Sequence, residues 1–181
     1  CERAEELPSR ALTVLTREQD EPAMPVDYIS RTRELYDPLP AYRWTDNRAL
    51  PVPWTPLARP LADCRVALAS SGGVYVEGQQ PFHFKDDASM RIVAADTPVS
   101  DLRVAHFGYP TSDAEKDPNC VFPLDRLREL EREGTIGELS PRAFTFMGGI
   151  YSHRRVFEDL VPAILDKLKE DDVDLFYIVP A

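Results

Sequence analysis

One short stretch of the sequence collects most of the side chains that could do chemistry. His106 lies at the end of a predicted strand, and Tyr109, Asp117, Asn119 and Cys120 follow it in a turn-rich segment. An imidazole can act as an acid or a base, a carboxylate can orient it, and an amide can hydrogen-bond a polar group of a ligand. Because α/β proteins place binding groups at strand ends, this stretch predicts a site for a small molecule. The same residue types are equally common in structural roles, so that alternative stays open.

A second candidate is the turn Ser71-Gly72-Gly73, which follows the apolar run Arg65–Ser70. Its backbone amides could bind an anion, and we count its residues among the candidates for substrate binding. The turn has neither the G-x-G-x-x-G spacing nor the lysine of a P-loop, so it does not predict a nucleotide site. An ordinary tight turn is the alternative interpretation.

The use of cysteine and histidine excludes other kinds of chemistry. Cys1, Cys64 and Cys120 are too few and too scattered for a disulfide framework. Cys120 lies just before a predicted helix, where a helix N-terminus favours a reactive thiolate. A buried packing role is the alternative for Cys120, and a packing role is predicted for Cys64. No metal is expected, because the chain has no C-x-x-C or H-E-x-x-H pattern and its three histidines lack ligand spacing.

Charge and hydropathy exclude two classes of partner. Among 181 residues, 21 Lys and Arg stand against 31 Asp and Glu, a formal net charge of −10. That balance disfavours both nucleic acids and anionic membrane surfaces. No apolar run approaches the roughly 20 residues of a membrane span, and the N-terminus lacks the apolar core of a secretory signal. We therefore predict a soluble, cytoplasmic protein.

The order of the predicted elements indicates the fold. Apolar runs typical of strands alternate with helical segments, and several strands end in glycine or other small residues. Apolar residues recur at helical spacing between Arg154 and Lys169, and Pro162 either kinks this helix or begins its second half. We predict an α/β fold with a mainly parallel, doubly wound sheet flanked by helices. The predicted strands are Arg65–Ser70, Ser89–Ala95, Asp101–Phe107, Arg142–Met147 and Asp174–Val179, and a further helix is predicted at Pro123–Glu133.

The distribution of proline and glycine divides the chain into three predicted segments. It has 17 prolines and 8 glycines, and the part before residue 63 is rich in proline and has no glycine. We predict a frayed or disordered segment at 1–23, a proline-rich arm with a short helix at 24–62, and an α/β domain at 63–181. Because the apolar strand predicted at Asp174–Val179 is followed only by Pro180-Ala181, we expect this domain to lack its C-terminal part.

Beyond single motifs, the chain resembles a known family in an ordered series of matches from Trp54 to Ala181. The family is that of the selenoprotein B subunits of glycine, sarcosine, betaine and D-proline reductases, and the chain looks closer to the D-proline reductase subunit. The matching segments are Trp54-Thr55-Pro56, Val66–Val74, Phe84–Arg91, Val99-Ser100-Asp101, His106 with Gly108-Tyr109, Asp117–Asp125, Glu133-Gly134 and Phe146–Gly149.

The resemblance implies an oxidoreductase that cleaves a C–N bond of an amino acid or a betaine-like amine. In the family a selenocysteine or cysteine nucleophile follows the strand that matches Asp174–Ala181 at once, so no catalytic residue is expected within this chain. The nucleophile is expected just after Ala181. Of the residues present, those expected to bind substrate are Ser71, Gly72, Gly73, His106, Tyr109, Asp117 and Asn119.

The resemblance also implies partners. A companion subunit is expected to carry a pyruvoyl group, and a small dithiol protein or another reductant is expected to supply electrons. No cofactor is expected in this chain itself, and an oligomer is expected.

Two other functions remain open from the residues alone. The chain could be a non-catalytic α/β binding or partner subunit that kept the fold. It could also be a cysteine-dependent enzyme of the racemase or lyase type that uses Cys120 as its nucleophile.

Overall fold

The computed structural model describes residue 51 and residues 55–181. Its strands are β1 (Arg65–Ser70), β2 (Val74–Val76), β3 (Met90–Ala94), β4 (Leu102–Val104), β5 (Glu138–Leu139), β6 (Arg142–Phe146) and β7 (Leu175–Val179). Its helices are α1 (Ser112–Lys116), α2 (Leu124–Arg132), α3 (His153–Arg155) and α4 (Val161–Glu170), with 3-10 turns at Leu61–Asp63, Val99–Asp101 and Pro118–Cys120. The predicted segment 1–23 and most of the predicted arm 24–62 lie outside the described residues.

Strand β1 lies at the centre of the main sheet. β7 pairs with it in parallel along one edge, from Val66 opposite Leu175 to Ser70 opposite Val179. Along the other edge β1 pairs in parallel with β5 and then with β6, and β3 pairs antiparallel with β6. β2 and β4 form a separate antiparallel pair. The predicted α/β class is confirmed with a mixed sheet, whereas the mainly parallel, doubly wound arrangement stays a prediction.

Both faces of the sheet carry a buried apolar core. Leu68 of β1 belongs to one cluster, which includes Leu127 of α2. Ala67 and Ala69 belong to a second cluster, which includes Ile164 of α4. Because successive side chains of a strand point to opposite faces, α2 and α4 cover opposite faces of the sheet. Full burial of a leucine-sized side chain contributes roughly 1.5–3 kcal/mol, so these contacts fix the position of β1.

The helix predicted between Arg154 and Lys169 is divided in two. A π-helical turn at Val156–Leu160 separates α3 from α4, and Pro162 lies in the first turn of α4. Proline has no N–H to donate within a helix, so it fits without a kink in a first turn. Pro162 therefore begins the second half, one of the two predicted outcomes. None of the helices in the described part of the chain is long and apolar enough to cross a membrane.

The strand predicted at Asp101–Phe107 is shorter than expected and belongs to the smaller sheet. β4 ends at Val104, where it pairs with Val74, the first residue of β2. Beyond that pair the amide of Ala105 donates to the carbonyl of Gly73, 2.9 Å away, and β2 offers no further partner. His106 therefore lies two residues beyond a strand of the small sheet, and not at the end of a strand of the main sheet.

Candidate functional site

The carboxyl ends of β1, β6 and β7 meet at one edge of the main sheet. The amide of Ser71 donates to the carbonyl of Val179 at 3.1 Å, and the amide of Gly73 donates to the carbonyl of Phe146 at 3.1 Å. The amide of Ala181 donates to Ser71 Oγ at 3.0 Å. Three strand ends are thus joined through the turn that follows β1.

Gly73 brings the segment after β4 to this edge. Its φ is +68°, in the left-handed region that favours glycine. A Cβ at this position would overlap the carbonyl oxygen of Ala105, whose amide donates to Gly73. The turn can approach Ala105 this closely only without a side chain, and the approach places His106 beside the ends of the parallel strands.

The imidazole of His106 is buried and held in one orientation. The residue is 9% exposed, and its ring lies 5.6 Å from that of Phe107, nearly parallel to it, and 4.6 Å from that of Tyr109. Nδ1 accepts a hydrogen bond from the amide of Gly108 at 2.9 Å. Burial lowers the pKa of His106, which favours the neutral ring. Because Nδ1 is an acceptor, the proton of the neutral ring lies on Nε2.

Nε2 of His106 is buried and has no hydrogen-bond partner among the described residues. An unpaired buried donor costs about 1–3 kcal/mol. Such a group is uncommon in a folded protein, where strain, a catalytic role or a bound water or ion accounts for it. The imidazole therefore offers one N–H donor at the edge of the sheet, and the fold supplies no acceptor for it.

Tyr109 is a structural support for the same edge. Its hydroxyl donates to the carbonyl of Gly72 at 2.8 Å. Burial raises the pKa of Tyr109 to about 12, and the nearby Cys120 side chain adds to this shift. The phenol stays protonated at neutral pH, so it can hold the Gly72 carbonyl but cannot serve as a base.

The amides of the predicted glycine turn are already paired. The Gly72 amide donates to Ser70 Oγ at 2.9 Å, and that hydroxyl donates to the carbonyl of Val121 at 2.7 Å. The Gly73 amide is bound to Phe146 as described above. These two amides are not free to bind an anion in this structure, so the turn contributes shape and carbonyl oxygens.

Asp117 and Asn119 lie in a different hydrogen-bond network from His106. Asp117 Oδ1 accepts from the amide and the side chain of Asn119 at 3.0 and 2.9 Å, and these bonds hold the pKa of the carboxyl below its usual value. Asn119 Oδ1 accepts from the amide of Asp125 in the first turn of α2. Asp117 therefore caps the 3-10 turn at Pro118–Cys120 and Asn119 caps the first turn of α2, and their predicted role in substrate binding stays a prediction.

The two described cysteines differ in exposure. Cys120 is exposed, so the packing alternative considered for it is wrong. Cys64 is fully buried and lies 3.3 Å from the carbonyl of Pro60, which confirms a packing role. Among residues 55–181, no three His, Cys, Asp or Glu side chains come together in a way that could hold a metal ion.

Sequence reasoning missed Gly148 and the main chain of Ala181. A Cβ on Gly148 would lie 3.3 Å from His106 Nε2 and 3.2 Å from the main-chain oxygen of Ala181. A signal for this position exists in the sequence, because Gly148-Gly149 follows β6 as Gly72-Gly73 follows β1. Paired glycines after two strands of one sheet indicate close backbone approach at a common edge.

Comparison with known proteins identifies the family to which the chain is similar. Residues 47–179 match the family model of glycine/sarcosine/betaine reductase selenoprotein B, which confirms the predicted resemblance. No solved structure matches the chain.

Three curated relatives illustrate the match. The chain is 40% identical over 124 residues to D-proline reductase subunit gamma of Acetoanaerobium sticklandii, which covers 68% of this chain and 51% of the relative. It is 37% identical over 95 residues to sarcosine reductase complex component B subunit beta of Peptoclostridium acidaminophilum, covering 49% of the chain and 22% of the relative. It is 32% identical over 103 residues to glycine reductase complex component B subunit gamma of Symbiobacterium thermophilum, covering 54% and 24%. The chain thus spans about half of the first relative and about a quarter or less of the other two.

Proposed function

The chain belongs to the glycine/sarcosine/betaine reductase selenoprotein B family, and from that membership we propose that it is a subunit of a reductase complex that cleaves a C–N bond in a small amino acid or a betaine-like amine. The observation that carries the proposal is the match over residues 47–179, which includes β1, β6, β7 and His106. D-proline is our first choice of substrate, because the match to the D-proline reductase subunit is longer and more identical than the sarcosine and glycine reductase matches.

We place the substrate site at the joined ends of β1, β6 and β7. Ligands of open α/β sheets bind beyond the carboxyl ends of strands, and the edge beside His106 is where three such ends meet. The unpaired N–H of His106 supports this location, because it is a buried donor that a bound substrate would satisfy. Ser71, Gly72 and Gly73 would shape the site, and Tyr109 would hold the turn in place.

The nucleophile belongs, on this proposal, to the residue that follows Ala181, as a selenolate or a thiolate. Ala181 is tied to Ser71 by hydrogen bonds of its amide and its main-chain oxygen, so a residue joined to it would lie at the same edge. Attack on the carbon that bears nitrogen forms a C–Se or C–S bond, while the C–N electron pair leaves with the nitrogen, which takes up a proton. In the net reaction a dithiol supplies two electrons and two hydrogens, C–N becomes C–H and N–H, and the dithiol becomes a disulfide.

The proposed reaction needs partners outside this chain. A companion subunit would carry a pyruvoyl group, which holds the amine substrate covalently. A dithiol protein or another thiol reductant would regenerate the nucleophile. The three relatives described above are named as subunits of such reductases, and this naming supports the proposal that the chain works in an assembly.

The decisive experiment starts from the codon after Ala181. We expect UGA or a cysteine codon followed by an open reading frame. The full gene product, assembled with its companion subunit, should then show dithiol-dependent consumption of D-proline, glycine, sarcosine or betaine. Serine in place of the residue after Ala181 should abolish turnover. Reductase turnover by the isolated 181-residue chain would contradict the placement of the nucleophile.

A second candidate function rests on the exposure of Cys120. An exposed thiol close to Tyr109 could act as the nucleophile of a racemase- or lyase-type enzyme. Alkylation with iodoacetamide should modify Cys120 in the folded protein and leave buried Cys64 unmodified until the protein is denatured. The experiment uses the Cys1→Ser variant, so that Cys1 gives no signal. If alkylation of Cys120 leaves the activity of the assembled complex unchanged, this second candidate is excluded.

A further inference from the structure

Strand β7 forms an outer edge of the main sheet. β1 pairs with one side of it, and no strand of the described residues pairs with the other side. The carbonyl of Val179 accepts from the amide of Ser71, which follows β1. Because the main-chain groups of successive residues in a strand point to alternate sides, the N–H and C=O groups of Phe176 and Ile178 point away from β1. These groups are open to a further strand.

The edge strand β3 shows how this protein covers an edge elsewhere. There the carbonyl of Ile92 accepts from Gln79 Nε2 at 2.9 Å, and Arg91 donates to the carbonyl of Gln80 at 2.8 Å. β7 has the sequence Leu-Phe-Tyr-Ile-Val, with neither a charge nor a proline. Apolar edges of this kind pair readily with other strands, and folded proteins cover them. The outer edge of β7 is therefore a surface that fits another strand.

An apolar groove lies beside β7 on the face of the sheet that α4 covers. Its volume is about 280 Å³, and Ile178 of β7 lines it together with Val161 and Leu165 of α4. Each of these three apolar residues is 44–48% exposed. Adjoining apolar side chains with this exposure indicate a surface on which a further apolar element packs. We call the outer edge of β7 and this groove the β7 surface.

The path of the chain indicates which face a further helix would cover. β6 and β7 lie on opposite sides of β1 and run parallel to it, so the chain crosses β1 between them, through α4. From β1 to β5 the chain moves in the opposite direction, through α2 on the opposite face. The two connections therefore have the same hand, as parallel connections in one sheet almost always do. A third connection of that hand, from β7 outward, places its helix on the face of α4, over the groove.

We propose that the protein's own chain beyond Ala181 covers the β7 surface, with a helix in the groove beside α4 followed by a strand parallel to β7 along its outer edge. This inference rests on the proposed function, because that proposal has the chain continue past Ala181 to its nucleophile. β7 then becomes an inner strand of the sheet.

Position and length favour a segment of the same chain as the occupant. Ala181 lies at the carboxyl end of β7, where an outward connection begins, and its amide is bound to Ser71 Oγ at 3.0 Å. The match to D-proline reductase subunit gamma spans 51% of that relative, so about half of the relative lies outside the match. That length far exceeds the roughly 30 residues of a β-α-β unit.

The first test measures hydrogen exchange of single amides by NMR, in the full gene product without its companion subunit. The amides of Tyr177 and Val179 face β1, whereas those of Phe176 and Ile178 face outward. If a strand covers the edge, all four amides should exchange at rates within about tenfold of one another. Alternating rates, with the two outward amides about 100-fold faster, would overturn the proposal.

The second test identifies the occupant. In the full gene product with labelled methyl groups, Leu165 and Ile178 should show nuclear Overhauser effects to residues beyond Ala181. In a mixture of labelled and unlabelled chains, these effects should arise within one chain. Contacts with a second copy, with residues 1–50, or only with an added companion subunit would overturn the proposal.

A pair of variants tests the groove. Leu165→Glu puts a charge where we place the new helix, so it should speed exchange of the Phe176 and Ile178 amides about tenfold or more. Asp166→Asn is the control, because Asp166 is exposed on the same helix, does not line the groove and also changes the charge by one unit. It should leave both rates unchanged. Wild-type rates in Leu165→Glu would overturn the placement of the helix.

Failure of the proposed function has a different signature. If the assembled complex turns over an amine while β7 shows alternating exchange rates, the reductase proposal stands and this inference fails. If the chain beyond Ala181 covers the β7 surface while the complex turns over no amine, this inference stands and the reductase proposal fails.

Discussion

Strands β1 and β6 begin among charged side chains and end among glycines. At the amino end Arg65 binds Glu138, and Arg142 binds Asp171 through two hydrogen bonds of 2.8 and 2.6 Å. At the carboxyl end the converging groups are main-chain oxygens and one neutral imidazole. The paired strands β1 and β6 therefore have a charged amino end and an uncharged carboxyl end.

The two ends of these strands therefore have different roles. The charged end stabilises the fold, and the uncharged end has a hydrogen-bond donor without a partner in the described part of the protein. The Arg142–Asp171 pair connects the start of β6 to the turn after α4, and Asp171 also accepts from Ser140. Its charges are matched within the protein. His106 at the other end has a donor that the protein leaves unmatched, which is a pattern typical of binding sites. Substitutions at the two ends should consequently change stability in different ways.

The largest effect should come from Gly73→Ala at the uncharged end. The new Cβ would overlap the Ala105 oxygen, and alanine would occupy a positive φ, so we expect a loss of about 2–4 kcal/mol in the free energy of unfolding. Gly134→Ala is the matched control, because its φ is +72° with no atom within 4 Å of the added carbon, and it should lose only about 1 kcal/mol. Urea denaturation of both variants measures the difference. Equal losses would mean that the close approach to Ala105 carries no energetic weight.

At the charged end, Arg142→Met should lower Tm by less than Gly73→Ala but by a clear margin. The variant leaves Asp171, whose side chain is 9% exposed, without its bidentate partner. Arg154→Met is the control, because Arg154 and Glu158 are both largely exposed and should contribute almost nothing. If calorimetry gives the two variants the same Tm, the charged end does not hold the fold as described.

The pH dependence of the Arg142→Met effect has a defined sign. Hydrogen bonds from Arg142 hold the pKa of Asp171 below its ordinary value of 3.8. A carboxyl with a lowered pKa in the folded state stabilises that state above its unfolded pKa and loses the contribution as pH falls. The stability gap between wild type and variant should be complete above about pH 5 and should shrink below about pH 4. A gap that grows on acidification would contradict the assignment.

A smaller effect is expected from Gly148→Ala. Its Cβ would lie 3.2–3.3 Å from three polar atoms, which is tight but requires only small shifts of the neighbours. We expect a loss of about 1 kcal/mol or less in unfolding free energy, together with a displaced Nε2 signal of His106 in the ¹⁵N spectrum. A stability loss as large as that of Gly73→Ala, or an unmoved Nε2 signal, would contradict the contacts described around Gly148.

The smallest effect on stability should come from His106→Leu. The substitution removes a buried donor that has no partner. It also removes the acceptor of the Gly108 amide, but Gly108 is exposed and water can replace that bond, so we expect the unfolding free energy to stay within about 1 kcal/mol of wild type or to rise. Substrate affinity of the assembled complex should fall in the same variant. A large destabilisation would mean that contacts of the imidazole stabilise the fold, and the contrast between the two ends of the sheet would then be lost.

The fold was predictable where local pattern and tertiary packing agree. β1 has the predicted bounds, and α2 begins and ends within one residue of Pro123–Glu133, because an unbroken apolar run and an apolar helical stripe both mark buried elements. β5 has only two residues and no periodicity, so no local pattern marks it. The pairing of β4 with β2 depends on the turn at Gly73, which only the folded chain reveals.

The candidate site was predictable in its location and less so in its details. The strand-end argument led to Ser71, His106 and Tyr109, which the fold brings together at one edge. Asp117 and Asn119 follow them in sequence, but Asp117 caps the 3-10 turn at Pro118–Cys120 and Asn119 caps α2, since an acidic or amide side chain before a helix serves the helix equally well. The hydrogen bond that makes Nδ1 of His106 an acceptor comes from the backbone amide of Gly108. Every residue except proline has such an amide, so no sequence motif could reveal this bond.

The central position of β1 has a consequence for the making of this protein. Among the strands that the structure describes, β1 is the first of the main sheet to leave the ribosome. Its partner β7 follows much later in the chain, and Arg65 and Asp174 are 109 residues apart. At a synthesis rate of roughly 5–20 residues per second, the apolar strand β1 stays unpaired with β7 for several seconds, until β7 has been synthesised. Folding dominated by such distant pairs is slow. Nascent chains of this protein should therefore depend on chaperones that shield β1 during translation.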